Sequence, residues 1–102
     1  LETFTDGEKD IEKELFGIFL EQGELALARL QTAVADDMAE EWKSAAHRFK
    51  GSAANLGAHK LSQLCLAAEQ EFQASQTEKQ EFLTSLIAGF NEVRDFLEKR
   101  MC

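Results

Sequence analysis

Proline is absent from the 102 residues, and the six glycines are scattered. Nothing therefore obstructs long helices, and no flexible linker marks a boundary between domains. Cysteine is scarce as well. Cys65 and Cys102 permit at most one disulfide, and one of the two is the last residue, where little would hold it in bonding geometry. A reducing compartment fits this usage. No stretch approaches the roughly 18 apolar residues that a membrane span requires, and the first residues lack the basic and apolar regions of a signal peptide. A soluble chain without direct membrane contact is expected.

Basic residues are in short supply too, with 11 Lys and Arg against 19 Asp and Glu and a net charge of −8. That balance argues against a nucleic-acid backbone as partner, since such binding needs clustered cations. What remains is a chain with 44% hydrophobic and 29% charged residues, enough for one compact domain over residues 1–102 and too little for two. Its first residue is Leu rather than Met, from which a piece excised from a longer polypeptide or a processed product is expected.

The apolar spacing is helical throughout. Thr5 with Glu8 has capping-box spacing, and Ile11, Leu15, Ile18 and Phe19 then predict a first helix from about residue 6 to 22, with Gly23 as its break. Leu27, Leu30 and Val34 mark a second helix, after which Asp36 and Asp37 offer a cap for the third. The third runs from Met38 to Leu56, with Gly57 placed for a left-handed C-terminal cap. Leu61, Leu64, Cys65, Ala68 and Phe72 define a fourth helix. Thr77 with Gln80 opens a fifth, whose stripe is Phe82, Leu86, Phe90, Val93 and Leu97. Short connections make neighbours antiparallel, so the expected fold is all-α: an up-and-down four-helix bundle with an additional N-terminal helix. Phe16 and Leu20 fall partly off the first stripe and are expected either to form an exposed apolar patch for a partner helix or to cover the open end of the bundle, while the charges from Glu12 to Glu14 read as a solvated run.

The third helix holds the candidate chemistry. Stepping about 100° per residue, Trp42, Ala45, Ala46, Phe49, Ala53 and Leu56 gather on one side, while His47 falls opposite, near Lys43, Lys50 and Gly51. A glycine inside a helix costs about 1 kcal/mol relative to alanine. One turn from His47, it clears space for another protein to approach the imidazole. Lys43 and Lys50 lie one turn either side of His47, so their ammonium groups can reach an anion carried on the ring. Between Trp42 and Ala68 there are four basic residues and no acidic one, a local reversal of the chain's charge. A solvated histidine between lysines is the ordinary reading of such a face, and an accessible cationic surface would equally receive any acidic partner. His59 lies 12 residues from His47, not at the spacing of a helical metal pair, so no metal site is expected. Cys65 falls on the apolar stripe and reads as core.

The run His47-Arg48-Phe49-Lys50-Gly51-Ser52-Ala53-Ala54-Asn55-Leu56-Gly57-Ala58, followed by Leu61, Leu64, Cys65 and Glu69, resembles the core motif of histidine phosphotransfer (HPt) domains. The resemblance implies that His47 is the phosphoacceptor, that Lys50 stabilises the phosphoryl group, with Lys43 in support, and that Gly51 gives a partner clearance. It implies a monomeric phosphorelay module with no ATP site or cofactor of its own. Its partners would be receiver domains of response regulators or of the same hybrid sensor kinase, and these would supply Mg²⁺ and the aspartate. The setting would be cytoplasmic, including the cytoplasmic part of a membrane-bound kinase. Glu69 stands where some members carry glutamine, and two readings of it are open: it accepts a hydrogen bond from one ring nitrogen and leaves the other free, or it is an exposed glutamate at a helix end. Two rivals differ in kind. One is a helical bundle that binds an acidic partner through this face without phosphorylation. The other is the dimerisation helix pair of a histidine kinase, where an acidic residue commonly follows the histidine; here Arg48 does.

Overall fold

The computed structural model describes residues 9–101, the side chains of residues 9, 10 and 101 excepted. Four helices follow one another: α1 Lys9–Ala35, α2 Ala39–Leu56, α3 His59–Gln70 and α4 Gln76–Met101. Each packs against its two neighbours in a ring, and each runs antiparallel to the one before it. The side-chain bonds fix this sense. Arg29 meets Glu41 and Ser52 meets Gln22 between α1 and α2, while Trp42 meets Ala68 and Ser62 meets Lys50 between α2 and α3. Gln76 reaches the carbonyl of Val34, and Arg100 pairs with Glu12 at the far end of the same two helices. The expected up-and-down bundle is thus present. The separate N-terminal helix is instead the first half of α1, and the Thr5–Glu8 cap lies outside the described residues.

Gly23 does not break α1. A β-carbon there would lie 2.2 Å from the ring of Phe90, so glycine serves to admit an aromatic ring from α4 against the helix backbone. The phase of the first stripe also differs from expectation. Phe16 is fully buried, Phe19 nearly so and Leu20 packs on the core, while Ile11, Leu15 and Ile18 are exposed. Both sides of this helix are apolar, and the larger phenylalanines take the interior because they bury more surface. Glu12 is buried beside Arg100 rather than part of a solvated run.

Helix ends carry their own corrections. Asp36 and Asp37 do not cap α2; they close α1, with Asp37 in the left-handed region at φ 53° and the Met38 N–H donating to Ala33 O at 2.8 Å. The cap of α4 is Ser75, whose Oγ accepts from the Glu78 N–H at 3.2 Å, not Thr77. Gly57 caps α2 as expected, at φ 89°, with its N–H on Ala54 O and that of Ala58 on Ala53 O. This closure turns the chain at once into α3, which sets α3 beside the face of α2 that bears His47.

Candidate functional site

His47 stands outward because α2 buries its opposite side. Trp42, Ala45, Ala46, Phe49 and Ala53 lie in the core, and the His47 side chain is 64% exposed. Its ring is nevertheless held. Nδ1 lies 3.0 Å from Oε2 of Glu69, which reaches across from the last turn of α3. Glu69 itself is only 17% exposed, and its other oxygen, Oε1, lies 3.0 Å from Nζ of Lys50. One carboxylate therefore bridges the imidazole and the ammonium. Oε1 is buried and lies off the line of a well-directed hydrogen bond, so the Lys50 contact is chiefly electrostatic.

Burial by itself would raise the Glu69 carboxyl, but the close contacts with Lys50 and His47, with their charges, offset it and hold the group below its usual range. Glu69 is thus an anion. An acceptor at Nδ1 selects the tautomer with its proton on Nδ1, which leaves the lone pair on Nε2. The unit is a nucleophilic nitrogen, an anion behind it and a cation beside it.

A second bond fixes where Glu69 sits. The indole N–H of Trp42 donates to the carbonyl of Ala68 at 2.8 Å in the buried seam between α2 and α3. Near the end of α3 this carbonyl has no helical partner of its own, so the indole meets a need that the helix terminus creates. Trp42 lies on the same helix as His47, so it ties the backbone next to Glu69 to the helix that carries the imidazole.

Apart from its chain neighbours and the backbone of its own helix, nothing lies within 4 Å of the position a Gly51 β-carbon would take. The space beside His47 is open, and a groove runs from it between α1 and α2, lined by Leu25, Arg29, Arg48, Gly51 and Asn55. Sequence reasoning missed Leu25 and Arg29 as part of this face. Leu25 lies off the core stripe of α1 and is 60% exposed, which is the signal it offered.

Lys43 is less directly placed, since its ammonium lies 4.6 Å from the centre of the Phe72 ring. His59 opens α3 while Glu69 stands near its other end, about 15 Å away along the helix axis, so the two histidines do not converge. Among the described residues no group of three His, Cys, Asp or Glu side chains comes together. Cys65 is buried, and its thiol is pushed up to about 12 by that burial, with Lys50 opposing. Of the two readings of Phe16 and Leu20, the exposed patch is not what the structure has, because both pack inward.

The sequence model described as Hpt domain matches residues 14–99, a span that takes in His47, Lys50, Gly51 and Glu69. No curated protein and no solved structure matches the chain.

Proposed function

The chain belongs to the Hpt domain family, helical-bundle phosphotransfer modules that work with receiver domains in two-component phosphorelays, and from that premise we propose that His47 accepts a phosphoryl group from one receiver and donates it to another. The observation that carries this reading is the contact of Glu69 with Nδ1 of an otherwise exposed ring. The lone pair of Nε2 attacks phosphorus, the bond from phosphorus to the receiver's aspartate oxygen breaks, and the electron pair leaves on the aspartate carboxylate. In the return step a second receiver's carboxylate oxygen attacks and the electron pair goes back to Nε2.

Lys50 stands beside the acceptor as a cation that can turn from Glu69 to the incoming phosphoryl oxygens, and Lys43 adds charge to the same face. Gly51 leaves room for the receiver, and the groove along Leu25 and Arg48 extends the surface on which it rests. Mg²⁺ and the acidic pocket belong to the receiver. Catalysis then rests on positioning and charge, as is general for phosphoryl transfer.

The test is to incubate the chain with a phosphorylated receiver and Mg²⁺. Acid-labile, alkali-stable label is expected on the wild type and none on His47→Gln. If several receivers leave no label, this face docks an acidic partner without phosphorylation; label that persists on His47→Gln puts the phosphoryl group on another residue and overturns His47 as the acceptor.

A further inference from the structure

Resting on His47 as the phosphoacceptor, we propose that Glu69 is a positioning residue that keeps the Nδ1 proton on the ring after phosphorylation as well as before it. The phosphorylated ring then remains a phosphoimidazolium, and outward transfer needs no proton from solvent. The chemistry decides why this matters. When Nε2 attacks, the ring gains a positive charge and Nδ1 still holds its proton. If that proton stays, the bond from nitrogen to phosphorus breaks to give neutral imidazole, a good leaving group. If it is lost, the leaving group is an imidazolide anion, and transfer waits until a proton returns.

The charged groups on α2 and on the elements packed about it divide in sign. Lys43 and Lys50 on α2 are cations, and both oppose a further positive charge on the imidazole. From α3 comes Glu69, 3.0 Å from Nδ1. From α1, the other helix packed on α2, comes Arg29, which is held by Glu41. From α4, packed on α3, Lys79 lies over the Trp42 ring, 5.7 Å from its centre. Among the described residues Glu69 is thus the anion in contact with the ring, and the task of holding the proton falls to it. Its site suits the task, since it is largely buried and is kept ionised by the two groups it bridges. A glutamine at this position would accept the same hydrogen bond but add no charge. The carboxylate adds the charge that retains the proton.

The experiment follows label leaving the phosphorylated chain for an unphosphorylated receiver with Mg²⁺, from about pH 6 to about pH 9, for the wild type and Glu69→Gln. Taking the ratio of the two removes the receiver's own pH dependence. The ratio is expected near one at the acid end, with the variant then falling behind by up to about tenfold per pH unit once the ring loses its proton. Nitrogen-15 spectra of the phosphorylated wild type should show Nδ1 still protonated at neutral pH, and Glu69→Asp should recover part of the alkaline rate. Parallel pH profiles, or an unprotonated Nδ1 in the wild type, would overturn the proposal while leaving His47 as acceptor. A wild type that takes no label at all overturns both readings.

Discussion

The indole N–H of Trp42 donates to the carbonyl of Ala68 at 2.8 Å, one residue before Glu69, so a buried bond positions the carboxylate that touches His47. Trp42→Phe removes the donor and leaves a buried carbonyl unpaired, at a cost of about 1–3 kcal/mol before any loss of packing. A urea melt should report at least that loss. Phosphotransfer by the folded variant should also slow, because Glu69 loses its anchor. A variant with lower stability and an unchanged transfer rate would show the bond to be structural alone.

Gly51 and Gly17 form a matched pair, since neither has a neighbour within 4 Å of its missing β-carbon. Substituting either by Gln should leave helix content intact and raise stability by up to about 1 kcal/mol, the usual helix cost of glycine. Only Gly51→Gln should impair transfer from a receiver, by about tenfold or more, a loss of about 1.4 kcal/mol in the transition state. Equal rates for the two variants would remove the clearance argument.

Gly23→Ala should behave in the opposite way. Its methyl group would meet the Phe90 ring at 2.2 Å, so the ring must move within a packed core. Such overpacking typically costs about 1–3 kcal/mol. Chemical denaturation should show this loss, and Phe90→Leu in the same chain should recover part of it as a coupled pair. A neutral Gly23→Ala would mean that α1 and α4 part easily there.

Acid stability should carry the mark of Glu69. Its carboxyl is held below its ordinary value in the folded chain by Lys50 and His47, so the unfolded chain binds the proton more readily. The resulting stabilisation is complete above that unfolded value and is lost as pH falls through the lower folded one. Melting temperatures across this range should fall less steeply for Glu69→Gln than for the wild type. Identical acid limbs would show that the bridge adds nothing to folding.

Cys65 provides the alkaline counterpart. Its thiol rises from 9.0 to about 12 through burial, so its contribution to stability is present below about 9 and is lost as pH rises toward 12. In a chain carrying Cys102→Ser, thiol reagents should react with Cys65 at the rate of unfolding rather than at that of a free thiol. Fast labelling under native conditions would show that the core opens locally at α3.

Much of the fold was legible from the spacing of apolar residues. Trp42, Ala45, Ala46, Phe49 and Ala53 on α2 all lie in the core, as does the stripe of Leu86, Phe90 and Leu97 on α4. The first helix was harder to read, because Ile11, Leu15 and Ile18 form as regular a stripe as the buried one. Periodicity finds an apolar face without saying which of two faces meets a neighbour. Gly23 was misread for a related reason: glycine marks helix ends and close approaches alike, and only the position of Phe90 tells them apart.

The sequence by itself determined the all-α class, the exposed His47 between two lysines, the open position at Gly51 and the family motif, since all of these follow from neighbours within one helix. Tertiary structure alone decided that Glu69 bridges His47 and Lys50, and that Trp42 holds the chain beside it. Glu69 lies 22 residues from His47, and a contact over that distance depends on the turn at Gly57 and on the register of α3 against α2, which no local pattern encodes.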